Sequence, residues 1–308
     1  MRLRFFISII CLLISAKLNA VESNKEPDVV IIPYMDVPAT HRLFGRELLA
    51  LALKLSEDKF GPYQLRIQTK ESVIKRQLYE LQTGHLSVAT SMPTQDWLTQ
   101  AQIIQIPIMR GLASYRLFFA YQEELELLSN IQRDDQLKQV LIGQGNGWST
   151  SELLLNNGYQ VVFSTKLDSL FKMLKAKRFN LLMRSVYEVE AEYAFYKPMM
   201  PELEVVKNFA VFTYLPMYFF VAKNSPLQSR LTYGLNRAYQ TGEADKLFKK
   251  YYAKTLEYLS WPDIKIIYLT NSNISCDLYQ QDKAYLLEQI KQMADNSNVS
   301  LGNCKNEK

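Results

Sequence analysis

Apolar and polar positions along the 308-residue chain fall in short blocks that switch between two periods. The run DVVIIP (28–33) is continuously apolar, as a strand covered on both faces requires. By contrast, 42–56 carries its apolar residues at the spacing of an amphipathic helix. A Gly61-Pro62 turn leads into a strand over 63–69, and 71–82 reads as a helix stopped by Thr83-Gly84. Strands are predicted over 86–92 and 103–109, with Pro93-Thr94 opening a helical turn between them. Alternation of this kind builds a parallel sheet with helices on both faces.

The pattern then restarts. LFFAY (117–121) is a strand, followed by a predicted helix over 123–138 and a strand over 139–144. A Gly-bearing loop, 145–150, precedes a helix over 151–156, a strand over 159–164, a helix over 167–177, a strand over 179–183 and a helix over 186–196. A second apolar strand resembling LFFAY, MYFFVA (217–222), brings the chain back, and 226–252 reads as one long amphipathic helix. The expected architecture is α/β with two lobes. The first is discontinuous, 21–117 and 218–308 with the C-terminal tail, and the second is 118–217. Paired hinge strands join them, and a solute lies between them at the carboxyl ends of the strands. Two consecutive doubly wound domains without a hinge are the alternative that periodicity leaves open.

The first twenty residues change the picture. Arg2 and Arg4, the apolar run 5–14 and the small residue Ala20 follow the plan of a secretory signal peptide, with cleavage expected after Ala20. The run is too short to span a bilayer. Export to the periplasm as a chain that does not span the membrane is therefore expected. Without these residues the formal net charge falls from +5 to +2, and no basic run remains to favour nucleic acid. About 288 residues suffice for two cores, and a monomer is expected. Cys276 and Cys304 then remain, and in an oxidising compartment they are expected to form a disulfide. Neither His41 nor His85 has a partner at metal-binding spacing, so no metal or other cofactor is expected.

Five segments carry a resemblance: HRLFGRELLALALKLS (41–56), IPIMRGLASYRLFFAY (106–121), LIGQGNGWSTSELLLNNGYQVV (141–162), LFKMLKAKRFNLLMRSVYEVEAE (170–192) and LPMYFFVAKNSPL (215–227). They are similar to the bacterial solute-binding protein family 3, the polar amino-acid receptors of ABC transporters, and most closely to a poorly characterised proteobacterial branch of it. The resemblance implies a type II periplasmic-binding-protein fold, hinge closure on a small polar solute, no catalysis, and a membrane permease or sensor as partner. It does not extend to the tail beyond about Trp261. Two family features are missing. Where the family follows its third strand with a Thr-x-x-Arg turn that clamps an α-carboxylate, this chain has Ser91-Met92-Pro93-Thr94-Gln95-Asp96-Trp97. Where the family places an acid for the α-ammonium, it has Leu182-Met183-Arg184-Ser185. An ordinary zwitterionic α-amino acid is not the expected ligand.

The candidate binding residues follow from strand-end placement. Arg184 ends strand 179–183 and offers paired donors to a carboxylate or phosphate; the alternative is a surface arginine paired with Glu188 or Glu190. Asn146, Ser149 and Thr150 belong to the loop before a helix, whose N–H groups and hydroxyls suit an anion or simple capping. Trp148 would stack on the ligand or pack the lobe. Tyr34 follows the first strand, Ser91 the third, and Arg116 adjoins the first hinge strand as a ligand contact or a hinge ion pair. The function expected is a receptor closing over a small polar, anionic solute. An acid–base enzyme on the same fold and an interaction module without a ligand are the alternatives; a hydrolase triad is unsupported, since Gly-x-Ser-x-Gly is absent.

Overall fold

A computed structural model describes residues 26–34, 39–70 and 72–297. The signal segment, its cleavage site at Ala20, and Cys304 lie outside the described residues. The strands in chain order are β1 (Asp28–Ile32), β2 (Tyr63–Ile67), β3 (Ala89–Ser91), β4 (Gln102–Ile104), β5 (Tyr115–Tyr121), β6 (Leu141–Gly145), β7 (Gln160–Ser164), β8 (Leu181–Ser185), β9 (Leu203–Val205), β10 (Phe209–Phe212), β11 (Tyr218–Val221) and β12 (Lys265–Tyr268).

The strands form three sheets, two in the first lobe and one in the second, and the two lobes share one strand order. In the first lobe β1 pairs in parallel with β2, and β11 runs antiparallel between β3 and β4. The amides of Ser87 and Val88 donate to Ile31 O and lay the approach to β3 beside β1. In the second lobe the order is β7-β6-β8-β5-β10-β12, with β5 antiparallel to both β8 and β10. β5 therefore leaves the first lobe to enter the second sheet, and β11 makes the return journey. Both are fully buried, and apart from Arg116 near the start of β5 their sequences are apolar or aromatic.

Helices cover both sheets. Thr40–Lys54 buries Phe44, Leu48, Leu49, Ala52 and Leu53, a stripe at helical spacing that packs on the Leu227–Gln240 helix. One apolar cluster runs without a break from Val30 and Leu48 in the first lobe to Phe119 and Phe171 in the second. No helix among the described residues is long and apolar enough to cross a membrane.

Several predicted elements come out differently. The helix expected over 123–138 is two four-residue helices, Leu125–Leu128 and Asp134–Leu137. The Gln136 side chain accepts from the backbone amides of Gln132 and Arg133, which starts a fresh turn there. The helix expected over 226–252 breaks at Thr241-Gly242 into Leu227–Gln240 and Glu243–Tyr252. β9 and β10 were not foreseen; together they run as one interrupted strand along β5. The tail, grouped with the first lobe on sequence, puts β12 on the outer edge of the second sheet, parallel to β10. It continues into the helices Cys276–Asp282 and Glu288–Asp295.

Candidate functional site

The carboxyl ends of β6, β8 and β10 and the start of β5 lie at one edge of the second sheet, facing the first lobe. β6 ends on Gln144 and Gly145. The Gln144 amide donates to Met183 O at 3.0 Å and accepts from the Thr150 hydroxyl at 2.7 Å, tying strand ends to the following helix, Ser149–Asn156. The chain doubles back so tightly that a Cβ on Gly145 would stand 2.0 Å from the Trp148 ring. Trp148 is thereby laid under Arg184, whose guanidinium sits 4.5 Å from the ring centre.

Arg184 is almost fully buried at the end of β8. Its Nη2 donates to Glu188 Oε1 at 2.7 Å and to Glu192 Oε1 at 2.5 Å, and Nε reaches Glu192 Oε2 at 2.8 Å. Glu188 and Glu192 are four and eight residues further on, on one face of the helix Val186–Tyr196. Glu188 also accepts from the Ser185 amide at 3.0 Å, closing a capping box at the helix start. Of the two partners foreseen, Arg184 takes Glu188; its other partner is Glu192, while Glu190 pairs with Lys254 at 3.3 Å.

Arg116 behaves differently. It is 4% exposed, and its Nε has no hydrogen-bond partner among the described residues. No ion pair ties it there either; the Glu188 carboxylate nearby is taken by Arg184 and the Ser185 amide. Arg116 faces Val211 across β5 and β10, and the ladder continues as Thr213 N donates to Ser114 O at 3.0 Å. Because alternate residues share a face, Arg116 and Thr213 stand on the same side of the sheet edge. The Thr213 hydroxyl is likewise buried without a partner among the described residues. Two polar groups that folding has taken out of water therefore share one face of the sheet edge without a bonding partner among the described residues.

Electrostatics reinforce the contrast. Burial opposes charge on Arg184, but Glu188 and Glu192 outweigh it and raise its pKa. Burial lowers the pKa of Arg116, and Arg184 adds to the effect against Tyr187 and Glu188. Burial works against the charged form of Glu188 too, yet Arg184, His41 and Arg116 hold its carboxyl below the usual range. Glu192 is pushed up to about 7, burial prevailing over Arg184. The His41 ring, 5.3 Å from that of Tyr187 across the lobe boundary, is held below its ordinary value, chiefly by burial. When Glu192 carries its proton, the two arginines face a single carboxylate.

The remaining expected residues differ in their surroundings. Ser149 donates to Met92 Sδ at 2.8 Å, joining the second lobe to the turn after β3. Ser91 is buried and its hydroxyl bonds Met92 O at 3.1 Å. Thr150 is satisfied by Gln144, Asn146 is exposed, and Tyr34 is half-buried where β1 ends. Gln144, Glu192, Thr213 and His41 were missed. The 184, 188, 192 spacing held the signal for Glu192, whereas Thr213 stands in a segment with no pattern of its own.

Comparison with known proteins agrees with the fold. No family model matches the chain, and no curated protein matches it. Solved structures do. An ancestral arginine-binding protein bound to arginine is 18% identical with a TM-score of 0.52, over 73% of this chain and 98% of the other. The arginine-, lysine-, histidine-binding protein ArtJ from Geobacillus stearothermophilus is 17% identical with a TM-score of 0.52, over 74% and 96%. The GluR0 ligand-binding core from Nostoc punctiforme, in complex with L-glutamate, is 12% identical with a TM-score of 0.52, over 73% and 99%. About a quarter of this chain lies outside each match. The chain has the two-lobed type II fold of these solute-binding proteins.

Proposed function

We propose that this chain is an exported, non-enzymatic solute-binding protein that holds a small anionic solute between its lobes, with Arg116 as the principal base. The observation that carries the reading is the buried Arg116 Nε without a partner, beside the Thr213 hydroxyl in the same condition. A carboxylate or phosphate oxygen would satisfy both groups, and a buried cation left alone is costly. Arg184 then plays a different part: with Glu188 and Glu192 it is a fixed ion cluster that shapes the site under Trp148. The structurally similar proteins bind amino acids. Here the turn Met92–Thr94 presents no base and β8 carries Arg184 next to its last residue, so the reading favours an acid without an α-ammonium group. Both oxygens of Glu192 are held by Arg184, which argues against an acid–base role for that carboxyl. A permease or membrane sensor is the partner such a receptor serves, and the pattern of residues 1–20 supports a place in the periplasm.

The test is a thermal-shift screen of small carboxylates and phosphate esters beside sugars and amino acids, followed by calorimetry of the best hit. Arg116→Ala should weaken binding by roughly 2–5 kcal/mol, the cost of removing one side of a buried charged contact. Hits confined to neutral or cationic solutes, or unchanged affinity in the variant, would refute the anion site.

A further inference from the structure

The C-terminal segment bonds to both lobes. To the second it adds β12 on β10, and Asn157 clamps Thr270, donating to its carbonyl at 2.9 Å and accepting from its amide at 3.2 Å. To the first it is tied by Tyr285, whose hydroxyl donates to Asn236 Oδ1 at 2.8 Å, and by the Leu287 amide, which donates to Arg110 O at 3.1 Å. Between these anchors Asp282, completely buried, accepts from the hydroxyls of Tyr214 and Tyr218. Tyr214 stands on the segment crossing back between the lobes, and Tyr218 opens β11 in the first sheet. Asn271 Nδ2 donates to Tyr214 O at 3.0 Å.

The segment also borders the seam. A gap between the lobes is lined by Met92 and Thr94 from the first, Ser149 from the second, and Asn271, Asn273 and Ile274 from the tail. Its volume is about 10 Å³, room for a single water molecule and far too small for a solute of several heavy atoms. Something must move before a solute enters. The lobes are fastened to each other through the tail, so hinge opening strains or breaks the attachments on one side of it.

We infer that residues 265–295 form a strap that holds the lobes together without solute and walls the seam between them, so that the cleft opens when the strap lets go. That a solute then occupies the seam rests on the function proposed above; the closure itself does not. Deleting the segment would take Ile267 and Leu269 out of the core they share with Phe209 and Val211 and risks loss of folding. The test therefore uses the full chain with Asn157→Ala and Tyr285→Phe together, which removes one anchor on each lobe. Asp282→Lys, which sets a cation against Tyr214 and Tyr218, serves as a stronger second variant.

Solution X-ray scattering and hydrogen exchange, both on solute-free protein, give the readout. Wild type should scatter as the closed structure with the segment protected. The variant that frees the segment, its amides exchanging about tenfold faster or more, should scatter as a more open molecule. Wild type already open, or a freed segment with the lobes still together, overturns the strap. Neither measurement involves a solute, so unchanged anion affinity in Arg116→Ala and persistent closure here are separate failures.

Discussion

Trp148 lies beneath the guanidinium of Arg184, 4.5 Å from it at the ring centre, because Gly145, with no Cβ, leaves room for the indole against its backbone. The stack covers one face of a cation whose edge is occupied by Glu188 and Glu192. Gly145→Ala should dislodge the indole. The expected result is a red-shifted tryptophan emission with a loss of stability of roughly 1–3 kcal/mol, the usual cost of overpacking, read by fluorescence and urea unfolding. An unshifted spectrum would mean that the loop adapts without moving Trp148.

The two arginines should differ in what their removal costs. Arg184→Met leaves two buried carboxylates facing each other and should cost roughly 3–5 kcal/mol of stability. Arg184→Lys should restore part of that, since an ammonium cannot make the paired contacts. Arg116→Met takes away a buried charge that lacks a partner and should change stability by no more than about 1 kcal/mol. Urea denaturation of the three variants separates the cases; equal losses for Arg184→Met and Arg116→Met would contradict the division of roles.

Glu192 should make stability fall as pH rises. Burial raises its carboxyl from 4.5 to about 7 in the folded protein, so the native state binds the extra proton between those values. Its contribution is fully present below about pH 4.5 and is lost as pH passes through 7. For a shift of this size the loss is about 3 kcal/mol. Glu192→Gln should flatten that slope relative to wild type in chemical denaturation measured from pH 4.5 to 8, and an unchanged slope would assign the proton elsewhere.

Asp282 behaves alike in a lower window. Burial lifts it from 3.8 to about 6 despite the two tyrosine hydroxyls that favour its charged form, and its Oδ1 has no partner among the described residues. Stability from this group is greatest below pH 4 and declines through pH 6. Asp282→Asn should remove the decline, visible as a smaller difference in melting temperature between pH 4 and pH 7. A variant that melts with the wild-type pH dependence would exclude Asp282 as its source.

A bond between Cys276 and Cys304 is expected to fasten the end of the chain to the tail. Closing a loop of this length contributes roughly 3–4 kcal/mol by chain entropy. Thiol labelling of unfolded, unreduced protein should find no free cysteine, and two labelled residues would refute the bond.

Much of the fold was legible because it depends on periods. The two apolar runs LFFAY and MYFFVA marked the crossing strands β5 and β11, and the restart of alternation after 117 marked the second sheet. The tail was not legible, since KIIY is four residues long and its pairing with β10 is set by distant packing on Phe212. At the site, the positions of Arg184 and Arg116 followed from strand ends. Their different conditions did not. Glu188 and Glu192 reach Arg184 through helix geometry that the spacing encodes, whereas the isolation of Arg116 is a property of every neighbour at once. A lack of partners leaves no local trace.

The exchange of β5 and β11 bears on how the molecule comes into being. Each sheet has an interior strand delivered by chain that has just left the other lobe, so neither sheet is complete while its counterpart is unformed. Most stabilising pairings thus join segments far apart in sequence, and folding should be slow for its size and strongly concerted. Denaturation followed by a probe in either half should give coincident midpoints. The stretch 118–217 expressed alone should yield a collapsed, aggregation-prone product rather than an independent domain, because it lacks the outer strand β12 and the chain that carries β5 into place.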